Sequence, residues 1–408
     1  MNPRLAIIDG VRTPFTKAGS DLAGLAADEL GRIAVNALLT RSGLDPALID
    51  EVIFGCVAQP MDSANLARVI ALRAGIPASV PAATVHRNCA SGFESLTAAA
   101  ERLAAGNGSL FVVGGAESMS QVPMLFEEAT ARKFAALARC KTLAAKLAVL
   151  ATFRPADFTP RIGLKLGLTD PVCGLNMGET AELLARENGI SREAQDVFAV
   201  ESHRKALAAP EVFAEEICPV YVNGKVVTRD NGPRAGQTVQ VLAGLRPIFE
   251  KHGTVTAGNS SQVTDGAAAL LVMGEDRAKD LGLEPLGYLT GYAYAGCDPA
   301  RMGLGPVFAL EKLEKRVGKK IEDADVVEIN EAFAAQVLAV QKRLRTPVPE
   351  EKLNVHGGAI ALGHPVGTTG ARLVLSALKE LRRRNARHAV VSLCIGGGQG
   401  GALWLERP

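Results

Sequence analysis

A chain of 408 residues, 48% hydrophobic and 22% charged, is too long for one small core and has the make-up of a globular protein of two or three domains. A net charge of +2 supplies no basic field, so no nucleic acid is expected as partner. The seven cysteines are odd in number, widely spaced and free of any CxxC pair, which argues against a disulfide framework and against a zinc site; no metal is expected, and a reducing, cytoplasmic setting follows.

In chain order, Leu5–Ile8 reads as a first strand rather than a signal peptide, and no apolar run reaches the roughly 18 residues of a membrane span. Asp28–Thr40 has the three-to-four spacing of an amphipathic helix. A strand at Glu51–Phe54 is followed by Gln59, a Cys-Ala-Ser-Gly turn at 89–92, a helix over Phe93–Ala105, and a strand at Leu110–Val113 running into Gly114-Gly115. Ala268–Met273 is a further buried strand. The second half repeats the order: strand Val326–Ile329, Gln336, a Gly-His-Pro-Val-Gly turn at 363–367, a helix over Ala371–Arg383, and a strand at Ala389–Leu393 running into Gly396-Gly397-Gly398. Strands alternating with helices predict an α/β fold with largely parallel strands. The repeated order reads either as an internal duplication or as the general likeness of any two α/β units.

Residues 121–250 differ in character, with few clean strands, scattered prolines and a turn-rich stretch from Asn223 to Gly236. Within them, residues 131–165 hold eight Lys/Arg and one acid, Asp157. Basic residues interleaved with Leu, Ala and Phe fit an amphipathic element that meets a membrane or a partner, or a helical cover with a solvated basic face.

Four positions could carry chemistry. Cys89 precedes a helix, where free N–H groups favour a thiolate, although a cysteine is more often a small buried hydrophobe. His364, flanked by Gly and Pro, is held on a turn; it can accept a thiol proton or bond an oxyanion, or be polar surface. Cys394 precedes Gly396-Gly397-Gly398, a run without the Gly-Lys-Ser/Thr ending of a phosphate loop, so backbone N–H groups forming an oxyanion hole fit it better. Asn330 ends a strand and could equally cap the next helix. A Cys/Cys/His set has one coherent use: one thiolate forms a thioester while the second thiol moves a proton at the substrate α-carbon.

Six blocks in order carry a resemblance: Asn88-Cys89-Ala90-Ser91-Gly92, Gly114 to Ser120, Gly253 to Ser261, Asn330-Glu331-Ala332-Phe333, Gly358 to Pro365, and Cys394 to Gly400. Over nearly its whole length the chain resembles the thiolase family. The resemblance implies a duplicated, layered α/β/α/β/α fold with an inserted loop domain: an N-terminal half over 1–120 completed by about 251–275, a loop domain over 121–250, and a C-terminal half over 276–408. It implies a homodimer or homotetramer using acyl-CoA and coenzyme A, with no permanently bound cofactor. Carried over by residue, Cys89 is the acylated nucleophile. His364 activates it and, with a water on Asn330, forms one oxyanion hole. Cys394 is the acid/base, and the N–H groups of Cys89 and Gly396 form a second hole. Leu168, Met177, Ala257, Gly258, Ser261, Met302, Ala332 and Phe333 are the implied coenzyme A contacts, while Lys225, Arg229 and Arg234 are, by charge and by their place in the loop domain, either contacts of its phosphates or solvated surface. Two positions depart from the family's pattern: His356 stands where an Asn is usual, and Asn176 where short-chain members carry a His. The long basic segment is similar to that of the thiolase subunit of fatty-acid oxidation complexes. That implies a degradative 3-ketoacyl-CoA thiolase, with a hydratase/dehydrogenase subunit or a membrane surface as possible partner. The alternatives are a biosynthetic acetoacetyl-CoA thiolase and, from another class, a non-catalytic acyl-CoA or lipid binder.

Overall fold

The computed structural model describes residues 4–408. Two compact units are present: a large one that runs to Gln121 and resumes over Asp170–Pro408, and a small one, Val122–Thr169.

The large unit is built on one ten-stranded sheet. Its main strands are β1 (Leu5–Arg12), β2 (Glu51–Gly55), β3 (Ala82–Val85), β4 (Leu110–Glu117), β5 (Thr264–Gly274), β6 (Gly287–Gly296), β7 (Val326–Ile329), β8 (His388–Ile395) and β9 (Gln399–Glu406). The spatial order is β7-β8-β9-β6-β1-β5-β4-β2-β3, with the short strand Thr16–Lys17 paired to β5. Outward from the β1–β6 junction the two sides read alike: each half's first strand, its last strand, then two that run parallel to each other (β4 with β2, β8 with β7). The second half's counterpart of β3 is reduced to a single parallel bridge between Val327 and Leu353. This shared order settles the repeat as duplication.

Three apolar layers follow from strict side-chain alternation. Ile7, Ile53, Phe111, Val113, Leu270, Val391 and Leu403 point into a central layer, which holds α3 (Ser91–Ala104) and α8 (Thr369–Arg384) between the two half-sheets. Their neighbours Ala6, Val52, Phe54, Val112 and Leu271 point the other way, onto α1 (Ala27–Ser42) and α2 (Leu66–Arg73). Val327, Ile329, Val390 and Trp404 face α6 (Gly305–Val317) and α7 (Ala334–Arg343). Helix, sheet, helix pair, sheet and helix make five layers, as expected. The expected strands and helices are all present, most of them longer than read, but the expectation of largely parallel strands is corrected: only β2–β3, β2–β4 and β7–β8 pair parallel, because β1, β5, β6 and β9 fill the middle of the sheet as antiparallel neighbours. β9 was not expected, because Gln399-Gly400-Gly401 reads as loop. In the fold Gly400 lies against the backbone of Gly305, a contact that leaves no room for a side chain.

The approach of α3 to α8 is decisive for the site. A Cβ on Gly92 would lie 2.7 Å from Ala371 N, and one on Gly370 would lie 2.5 Å from Phe93 N. Only glycine lets the two helix N-termini meet backbone to backbone, and each of these helices follows a turn carrying a candidate residue, Cys89 or His364.

The small unit consists mainly of helices Glu128–Arg139 and Leu143–Leu150, a 3-10 turn Pro155–Phe158, and a two-strand pair of Met124–Leu125 with Arg161–Ile162. Phe134 contacts Phe126, Phe153 and Phe158, and Lys133 is paired with Asp157 at 2.6 Å.

Candidate active site

Strand ends and glycine turns bring the first-half and second-half residues together. Asn330 and Cys394 stand at the carboxyl ends of the parallel strands β7 and β8, and the N–H of Asn330 donates to Ser392 O at 2.9 Å. In open α/β sheets such ends form the crevice where ligands bind. Cys89 follows β3 on a turn fixed by its neighbours. Ser91 Oγ donates to Asn88 O at 2.7 Å and accepts from Arg87 N at 2.9 Å, and Asn88 takes a left-handed φ of 45°.

Cys89 is a half-buried residue, and the backbone N–H groups of Gly396 and of Cys89 itself lie where they favour its thiolate. Asn88 Nδ2 donates to Gly396 O at 2.7 Å, and the Met177 sulfur would be 3.5 Å from a Cβ on Gly396. Burial pushes the thiol above its ordinary value, and the two N–H groups only offset this. The N–H groups favour the thiolate, as expected from the sequence, but desolvation outweighs them, so ionisation needs a base. Cys394 is fully buried. Burial first, then the nearby Cys89, pushes its thiol well above the ordinary range, so it holds its proton at neutral pH.

His364 is buried, and its backbone N–H donates to Gln262 O at 3.0 Å. Its Nδ1 lies 2.6 Å from Thr369 Oγ1, whose own proton goes to Pro365 O at 3.0 Å. The hydroxyl has one proton, so it accepts from Nδ1–H and leaves Nε2 bare. Burial, with the charge of Arg372 adding to it, lowers the imidazole to about 4, so a neutral ring with a free Nε2 is the resting form. Asn330 Nδ2 is 3.5 Å from that nitrogen, and Asn330 Oδ1 is buried without a protein partner among the described residues.

The implied coenzyme A residues fall into three places. The Ala257–Ser261 segment runs beside Ala332–Ala334: Ser261 N–H donates to Ala332 O at 2.9 Å, Ser260 bridges Phe333, and Ala334 N–H donates to Asn259 O at 2.9 Å. Gly258 packs on Leu242 and Leu245, Phe249 stands edge-on to Phe333 at 6.1 Å, and Met302 is buried in the same apolar cluster as Ala332 and Phe333. Met177 opens α4 (Met177–Glu187), capped by Asn176, whose side chain accepts the Gly178 N–H at 3.0 Å. Leu168 belongs to the small unit and is placed only within it. His356, the other departure, is 2.7 Å from Glu380 Oε2. Burial opposes ionisation of Glu380, yet its bonds to His356, Arg384 and Arg383 bring its carboxyl down to about 2.

Comparisons with known proteins identify the family. Residues 5–276 match the family model described as "Thiolase, N-terminal domain", and residues 283–407 match "Thiolase, C-terminal domain". The chain belongs to the thiolase family. A protein of Staphylococcus aureus (strain COL) named "Probable acetyl-CoA acyltransferase" is 42% identical over 97% of each chain. Among solved structures, this thiolase is similar to the acetyl-CoA acetyltransferase of Bacillus anthracis, with 40% identity, full coverage of both chains and a TM-score of 0.90. It is also similar to human mitochondrial 3-ketoacyl-CoA thiolase in complex with CoA, with 37% identity, coverage of 100% of this chain and 98% of that one, and a TM-score of 0.89. The thiolase is therefore an acyltransferase.

Three features of the site were not read from the sequence: the Asn88 tie to Gly396, the Thr369 contact that fixes the His364 tautomer, and the charge of Arg372 near the ring. Only Asn88 carried a signal, being an Asn directly before a candidate nucleophile, a residue type that tolerates left-handed backbone. Among the described residues, no group of three or more His, Cys, Asp or Glu is placed to hold a metal ion.

Proposed function

We propose that this thiolase cleaves 3-ketoacyl-CoA with coenzyme A, giving acetyl-CoA and a shortened acyl-CoA through a thioester on Cys89. The observation that carries the reading is the Asn88–Gly396 bond at 2.7 Å, which sets the Cys89 turn of the first half on the Cys394–Gly396 loop of the second. His364 Nε2 takes the Cys89 proton, and the sulfur attacks the 3-keto carbon. The resulting oxyanion is met by the new Nε2–H and a water held by Asn330. The C2–C3 bond breaks, and its electron pair becomes an enolate that takes the Cys394 proton, releasing acetyl-CoA. The acyl carbonyl on Cys89 then lies between the N–H groups of Cys89 and Gly396. The CoA thiol gives its proton to the Cys394 thiolate and attacks that carbonyl, and the departing Cys89 sulfur recovers its proton from His364. An oxyanion-hole donor contributes about 3–4 kcal/mol in a dry site. Cys89→Ser is expected to lose the acyl burst; wild-type acyl transfer in that variant sinks the scheme. Incubation with acyl-CoA followed by peptide mass mapping separates an enzyme from a mere binder.

Coenzyme A is assigned to the wall formed by Met177, Ala257, Gly258, Ser261, Met302, Ala332 and Phe333. The Ser261 hydroxyl bonds the pantetheine.

The degradative direction is favoured by the small unit and by Asn176 in place of a His. The helix Leu143–Leu150 buries none of its side chains; Leu143 is 74% and Phe158 57% exposed beside Lys141, Lys146 and Arg154. Apolar groups ringed by cations fit the interface of an anionic bilayer. We assign this surface to peripheral membrane contact by an otherwise cytoplasmic enzyme, and a hydratase/dehydrogenase subunit is the competing occupant. Sedimentation with vesicles containing anionic lipid is expected to carry the protein down, and loss of pelleting in Leu143→Glu checks the assignment. β3 is an edge strand, half exposed along its length and without charge, and an open apolar edge pairs readily with a second copy. A homodimer, or a tetramer built from it, is assigned on that ground, with sedimentation velocity as its check.

The biosynthetic reading is supported by the similarity to an acetyl-CoA acetyltransferase. Steady-state thiolysis across a chain-length series decides: the degradative enzyme prefers medium or long 3-ketoacyl-CoA, and strong preference for acetoacetyl-CoA reverses the assignment.

A further inference from the structure

Glu117 has no part in the scheme above, yet it joins the His364 turn to the loop after β2, which itself lies on the Cys89 turn: a Cβ on Gly55 would be 2.5 Å from Ser91 C. It ends β4 in the Gly-Gly-Ala-Glu block and is fully buried. Its Oε2 accepts the N–H groups of Val57 at 3.0 Å and Gly367 at 2.8 Å, and its Oε1 accepts that of Ala58 at 2.8 Å, with Cys56 Sγ at 3.6 Å. Val57 and Ala58 belong to the first half, whereas Gly367 closes the second-half turn that begins at Gly363 and carries His364. A Cβ on Gly367 would lie 2.9 Å from both Glu117 Oε2 and Cys56 Cα, so the turn is seated directly on the carboxylate. Gly115, two residues earlier, likewise presses against the Gly367 carbonyl.

We propose that Glu117 is a positioning residue for acyl transfer, fixing the His364 turn of one half against the loop after β2 on which the Cys89 turn of the other rests. Burial raises the Glu117 carboxyl, and the three N–H donors oppose that and favour its charged form; they are far more directional than apolar packing, and charge-assisted bonds of this kind are about twice as strong as neutral ones. Two half-domains joined elsewhere by packed strands and helices gain a fixed register at the point where their catalytic turns meet. The carboxylate also adds to burial in keeping the Cys89 thiol protonated. The resting nucleophile is thereby held neutral until His364 takes its proton. The inference rests on Cys89 as acyl acceptor and His364 as its base.

The test compares Glu117→Gln and Glu117→Asp with the wild-type full-length enzyme. Glu117→Gln leaves one acceptor oxygen and turns an NH2 toward a backbone N–H. We expect kcat for thiolysis to fall about 30-fold with KM for CoA within about twofold, as for lost alignment. The pH profile of Cys89 alkylation by iodoacetamide, followed by peptide mapping, should shift to lower pH, because a nearby negative charge is gone. A purely structural lesion lowers activity without moving that profile downward. Glu117→Asp keeps the charge but retracts the grip, so turnover should fall with no downward shift. Wild-type turnover in either variant, or an unshifted profile in a folded Glu117→Gln, overturns the proposal. Absence of an acyl mass on Cys89 in the wild-type enzyme instead overturns the reading beneath it.

Discussion

Asn88 Nδ2 donates to Gly396 O at 2.7 Å, tying the nucleophile's turn in the first half to the glycine loop of the second. The bond fixes the peptide plane next to the Gly396 N–H that faces the Cys89 sulfur. Asn88 sits at φ 45°, a conformation glycine tolerates, so Asn88→Gly deletes the amide without backbone strain. Acylation of Cys89 in this variant is expected to slow about 10- to 100-fold, the range for a displaced oxyanion donor, with the melting temperature nearly unchanged. Stopped-flow acylation at the wild-type rate rules the tie out.

The contact of Gly92 with Gly370 predicts a stability effect of a different kind. In Gly92→Ala the new methyl meets backbone nitrogens at 2.7 and 3.1 Å, and backbone cannot rotate away. Overpacking of this sort costs about 1–3 kcal/mol, which urea unfolding reads as a lower midpoint. Gly24→Ala is the control: a methyl there meets nothing within 4 Å, so its midpoint stays within experimental scatter of the parent.

Thr369 is expected to matter through the proton it places. Thr369→Val keeps the shape and removes the acceptor for His364 Nδ1–H, leaving a buried donor unpaired at a cost of about 1–3 kcal/mol. The other tautomer, with Nε2 protonated, then competes and cannot take the Cys89 proton. Acylation falls at least about tenfold, and Thr369→Ser restores most of it. Equal rates in the Val and Ser variants refute the tautomer assignment.

The pH dependence follows from two buried imidazoles. Burial lowers both His364 and His203 to about 4, with Arg372 adding for the first and with Arg234 and Lys17 adding for the second. Each is neutral when folded, while the unfolded chain takes up a proton below about 6.5. The unfolded state therefore binds more protons between about 6.5 and 4, and stability falls as pH drops through that window, by at most roughly 3 kcal/mol per group. Because His364 stays neutral there, acylation should show no inflection near 6.5 and should decline only toward pH 4. An acid limb centred at 6.5 contradicts the burial argument.

By itself the sequence determined the α/β class of fold, the family resemblance, and which residue types stand in the turns at 89, 330, 364 and 394, because hydrophobic alternation, glycine turns and short motifs are local properties written in neighbouring residues, whereas the repeat was settled as duplication only by the order of strands in the sheet. It could not determine which turn faces which. The close passage at Gly92 and Gly370, the grip of Glu117 on Gly367 and the bond from Asn88 to Gly396 each join positions about 250 or more residues apart. The ionisation of the site was likewise decided by tertiary structure. The local signal at Cys89, a helix start, pointed to a thiolate, but desolvation by the packed layers outweighs it. Burial depends on everything folded around a group, and no stretch of neighbouring residues records it.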